Sequence, residues 1–326
     1  MTLPAARTAP LSWISKQFSL PPQREGFQTS EKWKRKMMNK RNLLLSLLLL
    51  FVLAVSPACA EVYLQEPPAD WADKELLTWT IFDVGQGDCM LLTCGEESMM
   101  VDGGVGSYRD KLAAALDARG LRHMRYILNT HFHGDHVDGL YHLFKHGFTA
   151  DEDLQPHDEQ ELARSEEGTR ALKAAADAGV PMRRIGQGDT ISLGNANIDV
   201  YRCLEVNNDN ARSLVLKVPF GESTILLTAD ITGKAQHWYV ENMPESMLSA
   251  DLMKLPHHSI TPTVPELLNA VNPSAAVATT GKKIVSGKSS AQLTSRKLPH
   301  FYSGDGTVYA VTDGTDWYMY QTKYKF

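Results

Sequence analysis

The chain has 326 residues, of which 43% are hydrophobic and 22% charged, a composition typical of a globular protein. The first sixty residues hold nine of the 33 Lys and Arg and two of the 38 Asp and Glu, so the remainder carries a formal charge of −12. An acidic surface of this kind disfavours a long nucleic acid as partner, because phosphate neutralisation by basic residues provides most of that affinity.

The N-terminal region predicts export. A basic stretch precedes an apolar run of thirteen residues at 43–55, and the small residues Ala58 and Ala60 follow it. This order is typical of a secretory signal peptide over residues 37–60, cleaved after Ala60, which would place the protein in the cell envelope or outside the cell. The run is shorter than the ~20 residues of a spanning helix, and an uncleaved membrane anchor is the alternative. We expect residues 1–36 to be a non-native or disordered extension.

Three cysteines, Cys89, Cys94 and Cys203, follow the predicted cleavage site. An odd number does not indicate a disulfide framework in an exported protein, although a single bridge stays open.

After an exposed lead-in at residues 61–75, residues 76–326 are predicted to form one α/β domain. Strands are predicted at 76–84, 89–94, 98–104 and 124–130, with a helix at 107–120 between them, and a solvated helix at 158–179. Further strands are predicted around 190–193, 197–204, 212–218, 223–230, 275–280 and in two segments of 307–320, with helices at 231–243 and near 289–298. Strands interleaved with helices in this way favour packed sheets that are covered by helices.

A histidine-rich motif begins where the strand at 124–130 ends. His131 and His133 stand two residues apart, so that both rings project to one side of an extended segment, and Asp135 and His136 follow at once. Mixed imidazole and carboxylate ligands suit zinc, and also manganese or iron. A polar loop with ordinary hydrogen bonds is the alternative, but four such side chains within six positions favour a metal site. The other isolated histidines are predicted to be surface or packing residues: His123, His142, His146, His157, His237 and His300.

A strand followed by H-x-H-x-D-H resembles the metallo-β-lactamase-fold hydrolases. The segments DVGQGD (83–88), MMVDGG (99–104), LPHH (255–258) and DGTVYAVTDG (305–314) are similar to one branch, which includes the hydrolase domain of ComEC-type competence proteins. The resemblance covers residues 76–320. It implies a four-layer αββα sandwich over residues 76–326 that holds two divalent metal ions, zinc or manganese.

The resemblance also implies roles for the motif residues. His131 and His133 would bind the first ion, and Asp135 and His136 the second. Asp230, after the strand at 223–230, would bridge both ions.

The remaining positions stay open at this stage. Either His257 or His258 would complete the second site, and the other would face the substrate as a donor or acid. In place of a third histidine at the first site, the resemblance suggests Asn210, with Asn208 as the alternative. The family's usual glycines are replaced by Ala229, before the bridging aspartate, and by Ser259, after the paired histidines.

Three further aspartates are expected to lie outside the ligand set. Asp83 is expected to orient the histidine-rich loop by hydrogen bonding, and Asp88 to have a similar structural role. Asp138 is expected at the start of the helix after the motif, where its charge suits the helix N-terminus.

We therefore expect an exported dinuclear hydrolase, most simply a phosphodiesterase or nuclease-like enzyme that uses a metal-bridging hydroxide, with Asp135 orienting that hydroxide. A small or oligomeric phosphoester is the favoured substrate. A lactam or thioester hydrolase of the same fold and a non-catalytic exported metal-binding protein are the alternatives. The sequence does not indicate an oligomeric state.

Overall fold

The computed structural model describes residues 40, 60–158, 161 and 164–322. The chain divides into residues 1–57 and 58–326, and every described residue except Lys40 belongs to the second unit. The predicted N-terminal extension and signal peptide lie outside the described residues, apart from Lys40 and Ala60. Within the described ranges, no helix combines the length and the apolar composition required to cross a bilayer.

The described residues form sixteen strands in two sheets. In chain order the strands are β1 (Val62–Tyr63), β2 (Leu77–Ile81), β3 (Cys89–Cys94), β4 (Glu97–Gly103), β5 (His123–Leu128), β6 (Thr149–Gln155), β7 (Met182–Arg184), β8 (Thr190–Leu193), β9 (Ala196–Tyr201), β10 (Val215–Phe220), β11 (Ser223–Leu227), β12 (Leu252–Lys254), β13 (Ala275–Ala278), β14 (His300–Tyr302), β15 (Thr307–Thr312) and β16 (Trp317–Thr322). The first sheet has the order β1-β16-β15-β2-β3-β4-β5-β6-β7, and the second has the order β14-β13-β12-β11-β10-β9-β8.

Helices cover the outer faces of both sheets. They are α1 (Arg109–Asp117), α2 (Gly134–Lys145), α3 (Glu166–Asp177), α4 (Gly233–Asn242), α5 (Glu245–Leu248), α6 (Pro265–Val271) and α7 (Gly287–Ser295). One apolar cluster fills the space between the sheets, a second joins the first sheet to α1, α2 and α3, and a third joins the second sheet to α4 and α6. The predicted αββα arrangement is confirmed.

The layered arrangement explains why the strand sequences are continuously apolar. Leu92 of β3 points into the cluster between the sheets, whereas its neighbour Leu91 points to the helix side, because successive side chains of a strand face opposite ways. Both faces of the strand are covered, so a continuous apolar sequence is satisfied.

Because neighbouring strands run parallel, the candidate ligand residues lie at the same end of the strands in each sheet. Strand β4 is parallel to β5 in the first sheet, and β11, β12 and β13 are mutually parallel in the second. The carboxyl ends of these strands lead into the histidine-rich loop, the segment around Asp230, the paired histidines and Thr279. Ligand sites of α/β folds characteristically lie at such strand ends.

Three local expectations need correction. The predicted lead-in is not simply exposed, because β1 pairs in parallel with β16 and Trp71 packs edge-on against Tyr318. Helix α2 begins at Gly134, inside the motif, so Asp138 lies in its second turn and forms an ion pair with Arg170. Strand β6 arises in an acidic segment whose sequence gave no strand pattern.

All three described cysteines, Cys89, Cys94 and Cys203, are buried and free. The absence of a disulfide framework agrees with the sequence analysis for this part of the chain.

Candidate metal centre

Asp102 fixes the loop that carries the first histidines. Its Oδ1 accepts hydrogen bonds from the backbone nitrogen of Thr130 at 2.8 Å and from Asn129 Nδ2 at 3.1 Å, and its Oδ2 accepts from Thr130 Oγ1 at 2.6 Å. Asn129 Nδ2 also donates to the carbonyl oxygen of His131 at 2.6 Å. The side chain of one residue of β4 therefore holds the backbone that leaves the adjacent strand β5.

The four motif residues lie on one side of this loop. His131 is fully buried, and its Nε2 lies 3.2 Å from Nδ1 of the half-buried His133. Asp135 and His136 occupy the first turn of α2, where a carboxylate complements the helix N-terminus. The Nδ1 atom of His136 lies 2.8 Å from Asp102 Oδ2, which turns the Nε2 atom of His136 toward the second sheet.

Asp230 is the point on which the histidines converge. Its Oδ2 atom lies 3.2 Å from Nε2 of both His136 and His258, and 3.9 Å from Nε2 of both His131 and His257. Asp230 lies in the segment just after β11, which ends at Leu227, and it is buried together with His131, His136 and His258.

These side chains fit a divalent cation. The Nε2 atoms of His136 and His258 are buried and have no hydrogen-bond partner among the described residues. A tetrahedral ion with bonds of about 2.1 Å separates its ligand atoms by roughly 3.4 Å, close to the spacings around Asp230 Oδ2. In four groups of three side chains the potential ligand atoms all lie within 4.8 Å of one another: His131, His136 and Asp230; Asp135, His136 and His258; Asp88, Asp102 and His136; and Asp88, Asp230 and His258.

The structure distinguishes the paired histidines. His258 is fully buried, its Nε2 lies 3.3 Å from Asp135 Oδ2, and its Nδ1 lies 2.9 Å from Thr279 Oγ1. Thr279 in turn donates to Asp88 Oδ1 at 2.6 Å, so the ring of His258 is oriented from behind. His257 is about a quarter exposed and is reached by Asn210 Nδ2 at 3.4 Å.

The structure also distinguishes between the two candidate asparagines, Asn208 and Asn210. Asn208 Oδ1 accepts from the backbone nitrogen of Ala211 at 3.0 Å and so supports its own turn. Asn210 lies against His257, and its Oδ1 is buried with no partner among the described residues. The geometry therefore brings Asn210, and not Asn208, to the centre.

The expected roles of Asp83 and Asp88 are divided differently from the prediction. Asp83 Oδ1 accepts from the backbone nitrogen of Gly85, within its own loop. Asp88 is fully buried and contacts Thr279, His258 and Lys254. Asp88, and not Asp83, supports the centre.

Lys254 is a component that the sequence analysis missed. This fully buried lysine, the last residue of β12, lies 2.8 Å from Asp88 Oδ2 and 3.4 Å from Asp230 Oδ1, and it also donates to the carbonyl oxygen of Ala229. It thereby binds the oxygen of Asp230 that does not face the histidines. A charged residue inside the apolar segment LMKLP was the available signal. Asp102 was missed as well, although it lies in the segment MMVDGG that carries part of the resemblance, and Thr279 was missed because nothing local marks it.

Left-handed backbone shapes the loops from the second sheet. The φ angles of Ala229, His257, His258 and Ser259 are 44°, 48°, 52° and 61°. Non-glycine residues adopt this region at a cost of roughly 1–2 kcal/mol each, which explains why glycine is the usual residue at two of these positions. The hydrogen bond from the backbone nitrogen of His257 to the carbonyl oxygen of Ala229, 3.0 Å long, ties the two strained loops together.

The charges of the centre favour a cation. Burial opposes protonation of His258, but the carboxylates of Asp230, Asp135 and Asp88 outweigh burial and raise its pKa to about 10. Burial opposes ionisation of Asp135, yet the contact with His258 lowers its pKa to about 2. The buried carboxylates thus stabilise positive charge on or between the imidazoles, which is the electrostatic requirement of a metal site.

Comparison with known proteins agrees with this architecture. The model of the metallo-beta-lactamase superfamily matches residues 82–194, which include β3, β4, β5 and the histidine-rich motif. Residues 82–194 are therefore the part of this chain that matches the metallo-beta-lactamase superfamily, whose proteins are typically metal-dependent hydrolases.

The similar curated proteins are consistent with the ComEC-type branch. ComE operon protein 3 of Bacillus subtilis (strain 168) is 25% identical over 233 residues, which cover 62% of this chain and 28% of that protein. Competence protein ComA of Neisseria gonorrhoeae is 28% identical over 205 residues, which cover 62% of this chain and 27% of that protein. The chain therefore spans less than a third of the length of these relatives.

The similar solved structures share little sequence identity with this chain. The metallo-beta-lactamase fold protein YhfI from Bacillus subtilis has a TM-score of 0.48 and 12% identity, over 70% of this chain and 96% of YhfI. A diphosphatase from the PhnP family has a TM-score of 0.44 and 14% identity, over 69% of this chain and 94% of the diphosphatase.

Proposed function

We propose that this chain is an exported, dinuclear metal-dependent hydrolase that cleaves phosphodiester bonds. The observation that carries the proposal is the convergence of three buried imidazoles, those of His131, His136 and His258, on one carboxylate oxygen, Asp230 Oδ2. The Nε2 atoms of His136 and His258 are buried and have no hydrogen-bond partner in the described part of the chain.

Each side of Asp230 would hold one ion. His131, His133 and Asn210 would bind the first ion, zinc or manganese, with an amide oxygen as its weakest ligand. Asp135, His136 and His258 would bind the second ion, and Asp230 would be shared. Lys254 contacts Asp230 Oδ1, and Oδ2 is the oxygen that faces the imidazoles of His136 and His258.

The bound cations would lower the pKa of water and polarise phosphoryl oxygens. Asp135, whose partly accessible Oδ2 lies 3.3 Å from His258 Nε2, would accept a hydrogen bond from the attacking water. His257, the more exposed member of the pair, would donate a proton to a leaving group.

A phosphodiester is favoured because a cationic centre complements the charge that develops on phosphoryl oxygens. The acidic character of residues 61–326 supports a compact substrate, such as a nucleotide fragment or an envelope phosphodiester, over long DNA.

The test uses protein over residues 61–326, stripped of metal and re-supplied with zinc or manganese, and bis-p-nitrophenyl phosphate as substrate. We expect metal-dependent hydrolysis that falls at least a hundredfold in His258→Ala, and no change in the matched control His237→Ala, an exposed histidine of α4. Equal rates for wild type and His258→Ala would refute the proposal. Turnover of nitrocefin or a thioester without phosphodiester cleavage would instead identify another hydrolase of the fold.

A further inference from the structure

A basic loop lies directly beside the paired histidines. Strand β13 is followed by Thr279, whose Oγ1 atom lies 2.9 Å from Nδ1 of His258. At the other end of the loop, the backbone nitrogen of Ser286 donates to the carbonyl oxygen of Ser259, 3.3 Å away. Both ends of segment 279–286 are therefore bonded to the segment of the paired histidines, so the loop lies at the edge of the second sheet that holds the metal centre.

The tip of this loop carries two lysines and an isoleucine. The backbone nitrogen of Ile284 donates to the carbonyl oxygen of Gly281 at 2.9 Å, which closes a turn with Lys282 and Lys283 at its two central positions. Both lysines are exposed, and Ile284 is 49% exposed. The next residue, Val285, is buried in the apolar cluster between the second sheet and its helices. The loop thus presents two cations and an apolar side chain to solvent from a fixed base.

The positive charge of this tip is not neutralised by the protein. Lys282, Lys283 and Lys288, which lies in the first turn of α7, have no hydrogen bond or ion pair within the described ranges. Residues 267–304 include five Lys and Arg and no Asp or Glu, on a chain that is acidic overall. Asp305, the next acidic residue, forms no ion pair with these lysines. Exposed charges are screened beyond about 8 Å at physiological salt, so the local surplus decides what the loop attracts.

The isoleucine beside the lysines distinguishes between anionic partners. A single-stranded nucleic acid would gain from aromatic side chains on which its bases stack, and residues 279–300 contain none. A bilayer with anionic lipids attracts each lysine by about fivefold in affinity and also takes up an apolar side chain between the headgroups. We propose that this loop docks the protein on an anionic membrane surface, with Ile284 inserted among the headgroups and Lys282, Lys283 and Lys288 against the lipid phosphates.

Docking through this loop turns the metal centre toward the membrane. Strands β11 and β12 run parallel to β13, so the segments of Asp230 and of the paired histidines leave the sheet at the same edge as the loop. The inference concerns binding alone. It goes beyond the proposed hydrolysis and does not depend on it.

The experiment measures sedimentation of the protein over residues 61–326 with vesicles of phosphatidylcholine that contain about 30% phosphatidylglycerol. The apolar run at 43–55 is absent from this protein and cannot account for binding. We expect binding to these vesicles and none to pure phosphatidylcholine. Lys282→Gln, Lys283→Gln and Lys288→Gln together should weaken binding about a hundredfold, and Ile284→Ser about fivefold. All four side chains are exposed, so the variants should fold.

Matched controls remove the same charge and a similar apolar side chain elsewhere. Lys145→Gln, Lys173→Gln and Lys234→Gln together remove three exposed lysines, one each from α2, α3 and α4, and should keep the wild-type affinity. Leu204→Ser removes an exposed leucine that precedes the exposed Glu205, and should keep it as well.

Three outcomes would overturn the proposal. The first is the absence of binding to anionic vesicles, and the second is an equal loss of affinity in the loop variants and their controls. The third is found in fluorescence anisotropy with a single-stranded oligonucleotide. Oligonucleotide binding that falls in the lysine variant but not in Ile284→Ser, without vesicle binding, would assign the loop to a nucleic acid instead.

Discussion

Replacing Lys254 by Met should reveal how much of the centre depends on one buried positive charge. The methionine side chain has a similar length but removes the ammonium group that lies 2.8 Å from Asp88 Oδ2 and 3.4 Å from Asp230 Oδ1. Both carboxylates are buried, so neither can be solvated in compensation. Removal of one partner from a buried ion pair costs about 3–5 kcal/mol, and we expect a loss of this size in the free energy of unfolding.

The assay is urea denaturation at pH 8 in the presence of a chelator, so that metal binding does not add to stability. Lys173→Met is the matched control, because Lys173 of α3 is largely exposed and should leave the midpoint unchanged. The charge of Lys254 and hydrogen bonds from His258 outweigh burial and lower the pKa of Asp88 below its ordinary value. A depressed carboxylate pKa stabilises the native state above the unfolded-state pKa of about 3.9 and is lost on acidification. The effect of Lys254→Met should therefore be complete above about pH 4 and shrink as the pH falls further below 4.

A loss of less than about 1 kcal/mol at pH 8 would refute this reasoning, since Asp88 and Asp230 would then need no buried counter-charge. A loss that persisted undiminished well below pH 4 would show that Lys254 acts through packing instead of charge. In a double-mutant cycle, Asp88→Asn combined with Lys254→Met should cost less than the two single substitutions together.

Three further predictions follow from the geometry. His258→Ala should reduce bound metal to about one ion per chain or fewer, whereas His257→Ala should retain the wild-type stoichiometry in elemental analysis; the reverse order would contradict the assignment of His258 to the second ion. Burial raises the pKa of Asp153 from 3.8 to about 7, so its contribution to stability is complete below pH 4 and is lost as the pH rises through 7. Asp153→Asn should therefore increase the free energy of unfolding by about 4 kcal/mol at pH 8 and leave it unchanged near pH 4, and equal effects at both pH values would disprove the titration. Ser259→Gly should stabilise the fold by about 0.5 kcal/mol, because Ser259 has a φ of 61°; a lower melting temperature would show that its side chain contributes more than the strain costs.

Much of the fold could be predicted from local patterns. The apolar segments that became β2, β3 and β4, together with the strand before the motif, are confirmed, because burial on both faces leaves a plain hydrophobic signal. Strand β6 escaped prediction because residues 151–153 of its sequence are all acidic. Its place is set by parallel pairing with β5 and β7, and pairing is not encoded in local propensity.

The sequence by itself determined the chemical type of the centre. The three histidines and the aspartate of the motif lie within six consecutive positions, 131–136, so their spacing alone indicates a metal site at the end of a strand. The sequence could not show whether His257 or His258 faces the second metal position. That depends on left-handed backbone at both residues and on which ring turns toward Asp230. Nor could it find the Thr279 contact with Asp88, which joins residues 191 positions apart. Such contacts exist only once the two sheets have packed, since strand order and burial, and not neighbouring sequence, bring their atoms within bonding distance.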